Sequence, residues 1–391
     1  MNRNCVLATI IVLVLIAAWA TACPLVAVVG SVFALGIVSL VRLVSRAGAG
    51  AGAGSLVAGG NESDGLTDYC GTSVSARELE LIQEFSKRFP MSDVPANIDG
   101  LRRLRWHSNN GNHHNHHVGQ RKLLMSEVDF LSNYARTGDT IVYAGAAPGT
   151  HMPLLASLFP NLRFKLYDPR KFKYSTRTPH AARIKTYQQF FLDKDALSFA
   201  GRDDVLFISD IRTGTDEVQF PSEEAVRGDM NLQRRWVELM QPRAAMLKFR
   251  LTYGESPDYE YFDGDVRLQA WAPKFSSETR LIATRPYTLK MYSSAEYDDK
   301  LYFYNKIIRM WATYDHGVPL KLVPGLDYCP SCALEVLMWN TYLGASRATP
   351  ARVATLMNRT AAALSRSLDS KSHGKDPELL PIERCKSEPV T

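Results

Sequence analysis

Between Thr140 and Asp168 the chain reads as strand, glycine turn, helix, strand and acid, and few architectures accommodate that order. Thr140 to Ala144 is a short apolar run with the length and β-branching of a buried strand. Gly145-Ala146-Ala147-Pro148-Gly149-Thr150-His151 follows, then an apolar helix to about Phe159 and a second strand, Arg163 to Tyr167, ending at Asp168. In a parallel sheet this unit places a turn and an acid at the carboxyl edge, where nucleosides bind. The expected fold is therefore α/β and Rossmann-like, with helices on both faces of a mostly parallel sheet. Gly145 and Gly149 are expected to let the backbone approach a ligand closely. Asp168 is placed to accept hydrogen bonds from ribose hydroxyls. The turn is not G-x-G-x-x-G, and Pro148 removes an N–H that would cradle a pyrophosphate. A dinucleotide oxidoreductase is thereby disfavoured, and a cofactor with an adenosine but no phosphate, S-adenosyl-L-methionine, fits better.

The elements around this unit supply charges at strand ends. Leu123, Leu124, Val128, Phe130, Leu131 and Tyr134 recur at helical spacing up to Gly138-Asp139, and Lys122 opens that helix. Val205 to Ser209 is a strand ending in Asp210-Ile211-Arg212. A helical stretch around Asn231 to Met240 leads into a strand from Ala244 to Arg250, with Lys248 embedded among apolar residues. Glu278 precedes a strand from Thr279 to Ala283. An ammonium inside an apolar strand is costly unless paired. Each of these four charges has a plain reading when taken singly: a solvated lysine, a turn cap, a surface acid. Taken together as Lys122, Asp210, Lys248 and Glu278 after a cofactor-type turn, they point to one site at one sheet edge.

The ends of the chain have a different composition. Asn4 to Val41 contains no charged residue, and the apolar run from Val6 to Leu40 is too long for one membrane crossing and about right for two. Pro24 stands at its centre, and Arg3, Arg42 and Arg46 flank it, which favours a hairpin with both ends in the cytoplasm. A cleaved signal peptide is the competing reading. The expected organisation is a hydrophobic membrane segment over 1–46, an Ala/Gly and polar linker over 47–118, a catalytic domain over 119–345, and a C-terminal helix (Pro350 to Leu368) with a disordered tail over 346–391. The run His113, His114, His116, His117 lies among Asn and Gly and reads as a solvated loop. Cys329-Pro330-Ser331-Cys332 has redox or zinc spacing, but no second pair accompanies it, so it reads as structural and no metal is expected. The six cysteines are otherwise scattered, and the net charge of +6 permits a polyanionic partner without demanding one. Arg170, Lys171, Lys173, Arg177, Arg183 and Lys185 form a basic run after the second strand, suited to RNA phosphates.

Several stretches resemble one family: Gly119-Gln120-Arg121-Lys122-Leu123-Leu124, Val142 to His151, Ile208 to Arg212, Leu247-Lys248-Phe249-Arg250, Ser277 to Leu281 and Tyr297 to Arg309. They are similar to the poxvirus cap-specific mRNA 2′-O-methyltransferases, which double as the regulatory subunit of poly(A) polymerase. The resemblance covers about Gly119 to Leu343. It implies methylation, from S-adenosyl-L-methionine, of the first transcribed nucleotide's ribose 2′-hydroxyl on m7G-capped mRNA. Lys122, Asp210, Lys248 and Glu278 would form the catalytic tetrad, with Lys248 as base if burial and Lys122 depress its pKa. The resemblance implies cofactor contacts from Gln120, Leu123, Tyr143, Gly145, Pro148, Gly149, His151, Asp168, Arg170, Ile211 and Arg212. It implies cap recognition by the rings of Tyr253 and Phe275 and the carboxylates of Glu255 and Asp298, a set suited to a cationic methylated guanine. The implied partners are capped mRNA, a poly(A) polymerase catalytic subunit and, through the N-terminal segment, a membrane. The expected location is the cytoplasmic face of a membrane, or host cytoplasm or virion for a viral protein. The alternatives are a 2′-O-methyltransferase acting on uncapped RNA, and a tethered RNA- or polymerase-binding module without catalysis.

Overall fold

A computed structural model describes residues 66–67, 73–74, 94, 116–174, 180–213, 221–252, 258–273, 276–309 and 312–368, all within the compact unit Gly65–Thr391. The hydrophobic segment, nearly all of the linker and the tail lie outside the described residues, as do His113 and His114. Among the described residues no helix is long and apolar enough to cross a membrane.

Helix α1 (His116–Tyr134) leads into strand β1 (Thr140–Ala144), then α2 (Met152–Leu158), β2 (Arg163–Tyr167), β3 (Ile184–Tyr187), α3 (Asp193–Leu197) and β4 (Val205–Ser209). Helix α4 (Glu223–Met240) and β5 (Ala244–Phe249) follow. Three antiparallel strands come next, β6 (Tyr259–Phe262), β7 (Asp265–Arg267) and β8 (Thr279–Thr284), then β9 (Leu289–Tyr292). Helices α5 (Ser294–Phe303), α6 (Pro330–Leu343) and α7 (Pro350–Leu368) close the chain. The main sheet has the order β3-β2-β1-β4-β5-β8-β7, with β6 and β9 paired in a separate ribbon. β1 to β5 are parallel neighbours, and β8 runs antiparallel to both β5 and β7.

This topology produces the two-faced packing expected of the sequence. The chain moves one way across the sheet from β1 to β2 and the other way from β4 to β5. Right-handed crossovers then carry α2 and α4 to opposite faces. Packing follows that division: α1 lies against α2, α6 and α7, and α3 lies against α4. Every residue of β1 and β4 is buried, and Lys248 alone breaks the burial of β5. α7 has the bounds its sequence suggests and turns Val353, Ala354, Met357, Thr360 and Leu364 inward, an i, i+3/i+4 stripe on the same body.

Some elements differ from the sequence expectation. α4 starts at Glu223, eight residues ahead of Asn231, because the Ser222 hydroxyl caps it by accepting from the Ala225 N–H and Glu223 and Glu224 suit its positive end. The first two turns carry few apolar residues, so periodicity alone starts the helix late. β3, β6, β7 and β9 are short, and β3 is largely exposed, so none shows a strong alternation.

One buried ion pair ties α6 to α1. Arg121 forks onto Glu335, with Nε to Oε2 and Nη2 to Oε1 both 2.8 Å. Glu335 is fully buried and also accepts from the indole N–H groups of Trp271 and Trp339. The Trp271 ring lies 5.1 Å from the guanidinium centre. Replacing Glu335 with Leu would leave Arg121 buried without its counter-charge. Urea unfolding of Glu335→Leu should show a loss of about 3–5 kcal/mol, and a loss below about 1 kcal/mol would mean that Arg121 escapes to water.

Candidate functional site

The four charged residues singled out from the sequence meet at the carboxyl edge of the sheet. Asp210 is the first residue after β4 and Lys248 the last but one of β5. Glu278 precedes β8, but because β8 is antiparallel its start lies where the parallel strands end. Lys122 reaches in from the second turn of α1. Lys122 Nζ donates to Glu278 Oε1 at 2.6 Å; Lys248 Nζ lies 3.1 Å from Asp210 Oδ1 and 3.4 Å from Glu278 Oε2. All four side chains are between 14% and 18% exposed, so the cluster is largely dry with one open side.

A fifth charge, unassigned from sequence, completes the cluster. Arg280 is 1% exposed, and its Nη2 donates to Asp210 Oδ1 at 2.7 Å and to Glu278 Oε1 at 3.3 Å. Gln269 supports it by accepting from Arg280 Nε at 2.9 Å and donating to Glu278 Oε1 at 3.1 Å. The signal was present: residues 278 and 280 share a face under the two-residue strand period, and an arginine there duplicates the argument made for Lys248. With Arg280 included, three cations face two carboxylates, so the cluster carries one net positive charge rather than none.

These neighbours decide the protonation states. Burial alone would raise the pKa of both carboxyls, but Lys248, Arg280 and Lys122 outweigh it, holding Asp210 below its ordinary value and Glu278 well below. For Lys248 burial works against the ammonium, as does Arg280, yet Asp210 and Glu278 prevail and its pKa is raised. This corrects the expectation that burial and Lys122 depress it. The resting state is therefore an ammonium between two carboxylates.

Lys248 is fixed through its backbone as well. β4 pairs with β5 only as far as Leu247, so the main chain of Lys248 has no strand partner on that side. The buried Gln233 amide of α4 takes that place: it accepts from the Lys248 N–H at 3.1 Å and donates to the Lys248 carbonyl at 3.0 Å.

The glycine turn sits beside this cluster, and its first glycine has a structural task that the sequence did not show. Gly145 has φ +81°, and a Cβ there would lie 2.7 Å from the carbonyl carbon of Asp210 and from the nitrogen of Ile211. Glycine is required here because the backbone leaving β4 at Asp210 and Ile211 lies against it. Four of the turn's six N–H groups are already used. Gly145 and Ala146 donate to the Tyr167 carbonyl, Ala147 to Asp168 Oδ2, and Thr150 to Gln120 Oε1. That leaves a poor cradle for a pyrophosphate, as expected from Pro148. Asp168 is 2% exposed and accepts four hydrogen bonds, from Ala147 N and from Arg170 N, Nε and Nη2.

The other expected cofactor residues fall into two groups. Gln120, Leu123, Gly145, Pro148 and Ile211 are half-buried at the edge, and Arg170 and Arg212 are exposed there. Tyr143, Gly149 and His151 lie buried beneath. The His151 ring is clasped between Gln120 Oε1 (2.8 Å from Nδ1) and Glu127 (3.0 Å from Nε2); the Tyr143 hydroxyl also bonds Glu127, and burial, reinforced by that carboxylate, holds its pKa well above normal. Glu127 is a second residue the sequence reading missed, an acid on the inner face of α1. A carboxylate at the tip of β2, a carboxamide and a phosphate-poor turn together suit a nucleoside that lacks phosphate.

Of the residues expected at the cap, Asp298 stands on α5, half-buried, while Tyr253, Glu255 and Phe275 lie outside the described residues. In the basic run, Lys171, Lys173 and Lys185 are exposed with Arg170, and Arg177 lies outside the described residues. Arg183 is a correction: its guanidinium is spent on the carbonyls of Ala156, Phe159 and Leu162 around the end of α2, so it is a helix cap rather than a phosphate ligand.

A model of the poly A polymerase regulatory subunit family matches residues 97–322, a stretch that holds all four tetrad residues, Arg280 and the glycine turn. The chain belongs to that family. A similar protein, named a cap-specific mRNA (nucleoside-2′-O-)-methyltransferase, from Myxoma virus (strain Lausanne), is 31% identical over 217 residues, 49% of this chain and 62% of that protein. The chain thus spans less than two thirds of that relative. The family member of the same description from Fowlpox virus (strain NVSL) is 30% identical over 220 residues, 51% of this chain and 71% of that one. Among solved structures, a cyclopropane-fatty-acyl-phospholipid synthase-like protein from Lactobacillus casei is similar at 14% identity over 33% of this chain and 49% of that chain, with a TM-score of 0.22, too slight to bear on the fold.

The depressed carboxyls make the site acid-sensitive. Groups lowered on folding contribute stability that is complete above the unfolded carboxyl pKa, about 4, and is lost as pH falls through their folded values. Urea midpoints measured from pH 7 to pH 2 should fall below about pH 4, and Glu278→Gln should flatten that acid limb. An acid limb unchanged in Glu278→Gln would mean its carboxyl is not stabilised by Lys122, Lys248 and Arg280.

Proposed function

We propose that this chain is an S-adenosyl-L-methionine-dependent RNA 2′-O-methyltransferase acting on the first transcribed nucleotide of m7G-capped mRNA. The observation that carries the reading is the meeting of Lys122, Asp210, Lys248 and Glu278, over distances of 2.6 to 3.4 Å, beside a turn suited to an unphosphorylated nucleoside. The names of the Myxoma and Fowlpox relatives support the substrate class. The family's description supports a second role beside a poly(A) polymerase catalytic subunit. Gln120, Gly145, Asp168, Arg170 and the Asp210–Arg212 exit would hold the cofactor, which supplies an electrophilic methyl group on a sulfonium.

The chain's own residues then have to align a ribose hydroxyl. With its ammonium form favoured, Lys248 would donate a hydrogen bond to the 2′ oxygen and turn a lone pair toward the reacting centre, and the hydroxyl proton would leave to solvent through the cluster's open side as the oxygen gains the methyl group. Asp210 and Glu278 hold the ammonium in place, while Arg280 and Lys122 keep the two acids ionised. Lys248 acts as an orienting group first, because little neutral amine exists near neutral pH when its pKa is raised. Burying the acceptor in this largely dry cluster strengthens each of these bonds.

Labelled methyl transfer to short RNAs differing only at the 5′ end tests the substrate, with m7G-capped RNA expected to exceed G-capped and uncapped RNA. Equal turnover on uncapped RNA would overturn cap specificity. Lys248→Met should cut kcat by about 100-fold or more while cofactor and RNA still bind. Wild-type kcat should stay level from neutral pH to about pH 10 and fall only above the ordinary lysine value, about 10.4, as the ammonium is lost. A log-linear rise through that range would instead make neutral lysine the base.

A further inference from the structure

The stretch Asp327-Tyr328-Cys329-Pro330-Ser331-Cys332 lies just beyond the family-matched residues and plays no part in the site above. We propose that Asp327, Cys329 and Cys332 bind a zinc-type divalent cation. One carboxylate oxygen and the two sulfurs all lie within 4.8 Å of one another. Tetrahedral zinc, with bonds of about 2.0–2.3 Å, needs its ligand atoms roughly 3.5–3.8 Å apart. Side-chain rotation covers that difference. Neither cysteine is in a disulfide.

The local structure turns the three ligand atoms toward one point. Cys329 caps the N-terminus of the 14-residue helix α6, and the Cys332 N–H donates to its sulfur at 3.4 Å. This cap geometry fixes the Cys329 sulfur at the start of the helix. Asp327 Oδ1 accepts from the Cys329 N–H at 2.9 Å, which turns the carboxylate toward the sulfurs. Cys332 is 1% exposed and Asp327 and Cys329 are half-buried, so an ion would be covered on one side and keep water in its fourth position. His316 is not that fourth ligand. Its Nε2 faces the Asp327 carbonyl at 3.0 Å and must donate, and its Nδ1 accepts from the Val318 N–H at 3.2 Å, so both ring nitrogens are occupied. The chemistry balances without redox: two S–H bonds break, two metal–sulfur bonds form, two protons go to solvent, and the carboxylate adds a third bond. A bound ion would tie the 327–329 loop to the first turn of α6, three residues before Glu335, which holds Arg121 beside Lys122.

Cobalt(II) is the probe, titrated into the full-length, reduced, metal-free chain. A sulfur-to-cobalt charge-transfer band should appear, and zinc should abolish it. Cys329→Ser/Cys332→Ser should remove the band, and Asp327→Asn should weaken cobalt binding about 10- to 100-fold. Replacing His113, His114, His116 and His117 by Ala should leave it unchanged. Far-UV circular dichroism checks the fold, and if the double-cysteine variant is misfolded, Asp327→Asn at a partly exposed position carries the same test. The proposal is overturned by a reduced chain that shows no charge-transfer band, by a band that survives loss of both cysteines, or by a Cys329–Cys332 disulfide whose reduction yields no cobalt binding.

Discussion

Placing two carboxylates and three cations in a pocket that water barely enters is the constraint around which the rest of the molecule is arranged. No pair among them is stable there alone, since the cost of drying an ion exceeds what one partner returns. Arg280 makes the group viable because a guanidinium stays charged and can serve two acids at once. The sheet order follows the same need. A strand inserted in reverse between β5 and β7 is what lets an acid that precedes a strand stand beside an acid that follows one.

Much of the framework was legible from residue patterns. Apolar runs marked β1, β4, β5 and β8, alternation marked β2, and the tetrad stood out because charges interrupt or terminate those runs. What escaped notice depends on partners distant in the chain. Arg280 looks like an ordinary strand residue until Asp210, 70 positions away, is found against it. Glu127 and Glu335 stand on helices with nothing in their sequence neighbourhood to mark them, though both are fully buried. Gly145 carries a second demand that the sequence does not show, since the backbone packed against it at Asp210 is invisible along one strand. Short, half-exposed strands such as β3 carry too little alternation to announce themselves.

α1 and α6 join the site to the C-terminal part of the molecule. Lys122 is positioned by a helix whose preceding residue, Arg121, is clamped by Glu335, and the same acid grips Trp271 on the loop approaching Glu278. Tyr297 and Asn305 hold that loop from the other side through the carbonyls of Ser277 and Ser276. The charged cluster thus rests on two supports, both built from side chains bonded to backbone or to buried acid rather than from mobile surface groups.

The amide that stands in for a missing strand beside Lys248 narrows what evolution can place at position 233. The side chain there must offer one acceptor and one donor, spaced like a peptide group, from a helix lying across the sheet. Asparagine is a methylene too short, glutamate has no donor, and leucine would strand two main-chain groups in the interior. Any lineage that keeps the lysine in this geometry is therefore under pressure to keep glutamine opposite it, and a drift at one position should be answered by a change at the other.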